Sequence, residues 1–351
     1  MENKLKSPSM FIGVQGNGYI SFGSGQPDLP PPERVFKILP SYRQFKYGLI
    51  SGQENLRRAL SKQFPGSNKD NFVITNGASE ALDLTFRVVC KPGEKVLLHK
   101  PYYYSYPELL KVNHIEPVFT ETIKGKIDFD DFDKKVRDCK AVLINSPSNP
   151  TGCIQDVNTL KQIEKLCSDL GIVIISDEVY KDLIYERGNY MLSGPTVITI
   201  NSFSKTFAMC GFRVGYLYSN NKDFVNKVIE IKTHSSMNTN ILGQEMAYEA
   251  TKVPEDYVKN QVAIWGERRD AICEGLGKLG LELWKPEGAF YVLPKVKDAH
   301  DMVWNLFKKH KVITYLGDWF GAQGRIRLSY ALDVDKIEEG LKKIGKYLEE
   351  K

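Results

Sequence analysis

Gly171-Ile172-Val173-Ile174-Ile175-Ser176-Asp177 decides the fold class of this chain of 351 residues. Four branched aliphatic residues in a row, Ile172 to Ile175, suit a strand that is covered on both faces. The stretch just before it, Leu160–Leu170, carries apolar residues at helical spacing instead. Working outward, the same alternation repeats. Candidate strands at Phe72–Thr75, Lys95–Leu98, Pro117–Thr120, Ala141–Asn145, Ile172–Ser176, Val197–Ile200 and Arg213–Tyr218 alternate with helical segments at Glu54–Gln63, Glu80–Val89, Asp131–Asp138 and Leu160–Leu170. This order predicts an α/β fold, with a large domain built on a mostly parallel seven-stranded sheet between helices.

Past Tyr218 the pattern changes to a long helix from Pro254 to about Gly280, short strands at Phe290–Leu293 and Arg325–Ser329, and a closing helix at Asp335–Glu349. These predict a smaller α+β domain. The proline-rich run Gln26 to Pro32 sets off an amino-terminal strip expected to pack on that smaller domain. The expected division is therefore 1–40 for the strip, 41–250 for the large domain and 251–351 for the small one. Gly275-x-Gly277-x-x-Gly280 matches a dinucleotide-binding spacing but ends a helix instead of following a strand, so it reads as a helix terminus.

Composition narrows the function. A net charge of +5, from 48 basic and 43 acidic residues, comes without a basic cluster and argues against nucleic acid. No apolar run reaches the roughly 18 residues of a membrane span, and Met1 to Lys6 lack the apolar core of a secretory leader. The six cysteines are scattered and read as reduced thiols. The five histidines form no metal-ligand spacing, so no metal is expected. The expected location is the cytoplasm.

Chemistry gathers where strands end. Asn201 to Arg213 follows the strand Val197–Ile200 and places Lys205 among Ser202, Ser204 and Thr206. An amine there faces a ligand at the carboxyl edge of the sheet, and it can form a Schiff base when desolvation and nearby cations favour its neutral form. Ser202, Ser204 and Arg213 together suit a phosphate dianion. Ser176-Asp177-Glu178-Val179-Tyr180 puts a carboxylate at the end of the next strand, where capping a helix is the alternative role. Thr75-Asn76-Gly77-Ala78-Ser79-Glu80 joins a strand to a helix whose first N–H groups attract an anion. Asn145 to Gly152 reads as a turn, and Tyr102-Tyr103-Tyr104 with Tyr106 is too dense in aromatics for one core face.

Together these segments resemble the class I/II aminotransferases, pyridoxal-5′-phosphate (PLP) enzymes of fold type I. Ser202-x-Ser204-Lys205 with Arg213 is similar to the family's S-x-[SA]-K…R pattern, and Asn149-Pro150-Thr151-Gly152 to its N-P-T-G loop. The resemblance spans nearly the whole chain, and its motifs stand in the family's order. It implies that Lys205 carries the cofactor, that Asp177 pairs with the pyridine nitrogen, and that Tyr180 and Asn149 reach the ring oxygen. Gly77, Ala78, Ser79, Ser202, Ser204 and Arg213 would hold the phosphate, and Tyr103 would stack on the ring, where many aspartate-type members carry Trp. Tyr47 would reach the phosphate of a neighbouring subunit, which implies a homodimer with shared active sites. Arg327, in Arg325-Ile326-Arg327-Leu328-Ser329-Tyr330-Ala331, would grip the substrate α-carboxylate together with Asn149, with Gly25 beside the substrate. Arg325 is expected at the surface.

The implied reaction is a ping-pong transfer of an amino group between an L-amino acid and a 2-oxo acid. Lys205 would act as the proton carrier, and Asp177 and Tyr180 would support it. Ala208-Met209-Cys210-Gly211 looks like the aspartate/aromatic group. A histidinol-phosphate type, a PLP-dependent β-lyase or an amino-acid decarboxylase would use the same apparatus. A transcriptional regulator would need a DNA-binding module for which the sequence shows no segment.

Overall fold

The computed structural model describes residues 5–11, 14, 18–186 and 188–351. Residues 1–4, which enter the leader expectation, and 12–13 and 15–17 of the strip lie outside the described residues.

Seven strands form one sheet: β1 Phe72–Thr75, β2 Lys95–His99, β3 Glu116–Thr120, β4 Ala141–Asn145, β5 Val173–Asp177, β6 Val197–Ser202 and β7 Gly215–Ser219. Their spatial order is β1-β7-β6-β5-β4-β2-β3. All neighbours are parallel except β7, which runs antiparallel to β1 and β6. Every residue of β1, β4 and β6 is buried, in keeping with the apolar runs Phe72–Ile74 and Ala141–Ile144, while β6 also buries Thr199, Asn201 and Ser202. Successive side chains point to opposite faces. Ile175 packs with Leu82, Leu143 and Phe224 on one face, while Ile174 packs with Phe132, Leu160 and Ile163 on the other.

The helix from Glu54 begins where its apolar spacing predicts, and the next three begin two or three residues earlier. They span Glu54–Ser61, Gly77–Val89, Phe129–Val136 and Val157–Leu170. Polar first turns carry no periodicity. At Phe129–Val136 the Asp128 side chain accepts from the backbone N–H groups of Asp130 and Asp131 and fixes the start. Four further helices, Ser105–Val112, Lys222–Ser235, Ile241–Ala250 and Ala299–His310, are absent from the sequence reading. Arg213 lies outside its expected strand, at φ 57° in the left-handed region.

After the helix Glu255–Lys278, a three-stranded antiparallel sheet forms from β8 Tyr291–Val292, β9 Tyr315–Leu316 and β10 Ile326–Ser329, with β10 central. Ala299–His310 and Val334–Glu349 pack against it around Trp265, Phe290, Leu306 and Ile344. The strip joins this core. Ile20–Ser21 pairs in parallel with Val312–Ile313, and Phe22 packs so close to Gly340 that a Cβ there would stand 2.3 Å from its ring. Gly275 and Gly277 fall in the last turns of Glu255–Lys278, and Gly280 follows at φ 75°. They end a helix.

Register places the chemistry. Asn145 pairs with Asp177 across β4 and β5, while Gly215 pairs with both Ser202 and Thr75. The carboxyl ends of four strands and the start of β7 therefore meet at one edge.

Candidate active site

A cavity of about 360 Å³ opens at that edge, lined by Lys205, Asp177, Tyr180, Asn149, Ala78, Ser79, Tyr103, Ser202, Ser204, Arg213, Gly25 and Arg327, among others. Residues spread over three hundred positions of sequence line this one space.

Lys205 lies three residues beyond β6 and is half-buried. Its Nζ donates to the Gly25 carbonyl at 2.6 Å. The next residue anchors the loop, since Thr206 Oγ1 donates to Asp182 Oδ2 at 2.9 Å. At the far end of the loop the Arg213 guanidinium donates to the carbonyls of Cys210 at 3.0 Å and Asn76 at 3.3 Å, which sets it at the start of Gly77–Val89. Two glycines permit this convergence. A Cβ on Gly77 would stand 2.6 Å from Arg213 Nη2, and one on Gly215 would stand 2.7 Å from the Ala78 nitrogen. The first N–H groups of a helix have no intrahelical acceptor and sit at its positive end. With Ser202, Ser204 and Arg213 they make a site for a dianion. Glu80 steadies the cradle: it accepts from the Asn76 N–H at 2.5 Å and pairs with buried Lys232 at 2.8 Å.

Asp177 closes β5 at the base of the cavity. Its Oδ2 accepts from the Tyr106 hydroxyl at 2.7 Å and its Oδ1 from the Val179 N–H at 3.2 Å. No helix follows, so the carboxylate tightens a turn instead of capping a helix. Burial pushes its carboxyl up to about 6, against the pull of Tyr106, Val179 and Lys205. Asn145 ties the strand ends together: its Nδ2 donates to the Asp177 carbonyl at 3.0 Å and its Oδ1 accepts from the Asn149 N–H at 2.8 Å.

Arg327, on the central strand β10, is 2% exposed. Its Nη1 donates to Asn149 Oδ1 at 3.0 Å and its Nη2 to the Gly23 carbonyl. The rings of Tyr291, Tyr315 and Phe320 surround it at 4.5 to 4.7 Å. Its Nε has no hydrogen-bond partner, and among the described residues no carboxylate pairs with it. An unpaired buried cation is costly unless a ligand supplies the anion. Arg325 stands elsewhere and is not the surface residue expected. It is largely covered, stacks on Trp284 at 4.1 Å and donates to the Leu293 carbonyl at 2.8 Å.

Tyr180 and Tyr291 share a hydrogen bond of 2.8 Å between hydroxyls, joining the two parts of the fold. Tyr103 packs edge-on to Tyr104 and Tyr106. Two expected site residues do not line this cavity: Gly77 stands behind its wall against Arg213, and Tyr47 lies away from it, 83% exposed beside exposed Phe45 and Leu49. Sequence reasoning missed Tyr106, Tyr291, Tyr315, Asn145 and Gly23. The first was visible as the last tyrosine of its run, whereas Tyr315 carried no local signal.

The donor set fits PLP: a dianion cradle at one end, a buried carboxylate without a cationic partner for a ring nitrogen, and an amine between them. Comparison with known proteins agrees. The family model for aminotransferase class I and II matches residues 17–344. A probable aspartate/prephenate aminotransferase of Aquifex aeolicus is 33% identical, over 96% of this chain and 93% of its own. The crystal structure of aspartate aminotransferase from Thermotoga maritima superposes with a TM-score of 0.92 at 30% identity, covering 98% of this chain and 97% of its own. An aromatic aminotransferase from Pyrococcus horikoshii superposes at 0.88 with 28% identity, covering 98% and 99%. The chain belongs to the class I and II aminotransferase family. Its activity is that of a PLP-dependent aminotransferase. Among the described residues no helix is long and apolar enough to cross a membrane, and no cluster of side chains could hold a metal ion.

Proposed function

We propose that the chain transfers the amino group of an L-amino acid to a 2-oxo acid at this cavity, with Lys205 as proton carrier and Arg327 as carboxylate anchor. The observation that carries the reading is the buried Arg327 guanidinium, which has an unpartnered Nε and no carboxylate of the described chain to neutralise it. A substrate α-carboxylate supplies the missing charge, fixed by a fork of N–H donors beside the Asn149 amide.

PLP, when bound, supplies an aldehyde that condenses with amines and a protonated ring that draws in electrons from the α-carbon. The chain's own groups do the rest. Asp177, oriented by Tyr106, holds a negative charge at the ring-nitrogen end of the cavity. The start of Gly77–Val89 with Ser202, Ser204 and Arg213 takes the phosphate. Tyr103 would cover the ring face, and the Asn149 amide and Tyr180 hydroxyl would serve its oxygen. Lys205 Nζ, once free, removes the proton from the substrate α-carbon and redelivers it as general base and then acid. Gly25, whose carbonyl holds that amine, borders the substrate.

Homology favours the aspartate/aromatic group of donors. Exposed Tyr47 and its apolar neighbours support a homodimer in which Tyr47 reaches the partner's phosphate site. The test is a single-turnover reaction with amino acids and no acceptor. Conversion of the bound cofactor to its amine form with stoichiometric 2-oxo acid supports transamination. Catalytic release of pyruvate with ammonia, or of carbon dioxide, would assign a lyase or decarboxylase instead.

A further inference from the structure

The cations that line the cavity can be counted against the charges that the reaction brings. Three are present: Lys205, Arg213 and Arg327. Each is already committed. Lys205 Nζ stands at the reacting centre against the Gly25 carbonyl. Arg213 is held at the phosphate end by Cys210 and Asn76. Arg327 carries the α-carboxylate on the reading above, on which this inference rests. Among the described residues of this chain, no lining cation remains for a second carboxylate. The strip residues 12–17, Ile-Gly-Val-Gln-Gly-Asn, contain no lysine or arginine either.

What borders Arg327 instead is aromatic. The Tyr315 ring lies 4.7 Å from its guanidinium and is itself packed by Trp319 at 5.7 Å. Tyr104 meets Phe320 edge-on at 5.6 Å and Tyr103 at 4.8 Å. The backbone makes room for this wall: a Cβ on Gly23 would stand 2.4 Å from Tyr315 Cε1. Ser24 and Gln26 complete the mouth with neutral polar groups. A carboxylate placed among these phenols gives up water without gaining a cation. An aromatic ring gains apolar burial and edge-to-face contact there.

We propose that the side-chain subsite beside Arg327, walled by Tyr103, Tyr104 and Tyr315, receives a neutral aromatic side chain and disfavours a second carboxylate. The chain thus differs in donor preference from relatives that carry the name aspartate aminotransferase.

The test uses the PLP-loaded enzyme as it assembles, so that any group reaching in from a second copy is present. Stopped-flow absorbance of the bound cofactor is followed with phenylalanine, tyrosine, aspartate, glutamate and alanine. Phenylalanine and tyrosine should react at least tenfold more efficiently than aspartate and glutamate. Titration with unreactive acids gives a readout without turnover: 3-phenylpropionate should shift the cofactor spectrum at a concentration at least tenfold lower than succinate. Tyr104→Arg should move the ratio of aspartate to phenylalanine at least tenfold toward aspartate. Equal or faster reaction with aspartate or glutamate, or tighter binding of succinate, overturns the subsite and leaves transamination standing. If no amino acid converts the cofactor, alanine included, the transamination reading itself falls and this one with it.

Discussion

The Tyr106 hydroxyl donates to Asp177 Oδ2 at 2.7 Å, from a helix that begins just past β2 to the end of β5. Asp177 is held at about 6 in the cofactor-free fold against an ordinary 3.8. The folded chain therefore binds this proton more tightly than the unfolded one. Its contribution to stability is full below the unfolded value and is lost as pH rises through the folded one. Asp177→Asn mimics the neutral acid. In urea melts of the apoprotein it should match the parent near pH 3 and exceed it by about 3 kcal/mol above pH 6.5. A constant difference across that window would refute the assignment. Tyr106→Phe removes a donor to the carboxylate and should shift the window upward.

Lys205 should carry the cofactor. The holoenzyme is expected to be yellow, and borohydride should fix the label to the peptide containing Lys205. Mass spectrometry placing the label on another lysine would reassign the site.

The two arginines of the last motif should separate. Arg327→Leu removes one member of a sheltered charge pair, at about 2–5 kcal/mol, so kcat/KM should fall roughly 30- to several-thousand-fold for every amino acid. The absorbance of bound PLP should persist. Arg325→Leu should change kcat/KM only a few fold, but it should lower the midpoint of thermal unfolding because it strips a stacked, hydrogen-bonded side chain from Trp284 and the Leu293 carbonyl. Reversal of the two kinetic effects would move the carboxylate site.

Tyr47 should act across a dimer. Mixing Lys205→Ala chains with Tyr47→Phe chains should yield hybrids in which one site lacks both substitutions. Activity should recover toward a quarter or more of the parent's. A fully active monomer in sedimentation at assay concentration would exclude this role.

Local chemistry made the sheet legible. Runs such as Ile172 to Ile175 show a strand covered on both faces, and all seven strands of the large sheet lie within a few residues of their expected places. The lysine, aspartate and asparagine at the strand ends were equally visible, because loops after strands hold the polar residues that a buried sheet cannot. What the sequence could not determine was long-range. Several helix starts depended on caps such as Asp128 instead of apolar spacing. Of the four missed helices, Ile241–Ala250 lacks a clear stripe, whereas Met302, Val303, Leu306 and Phe307 in Ala299–His310 stand at helical spacing and were legible. The Tyr106 hydrogen bond to Asp177 joins positions 71 residues apart, and Tyr180 meets Tyr291 across 111. Only folding brings such pairs together, because spacing along the chain says nothing about which distant side chains share a cavity. The same holds for Arg325 and Arg327, two residues apart yet facing Trp284 and the active site respectively. Tertiary packing chose between them by leaving one guanidinium buried without an anion.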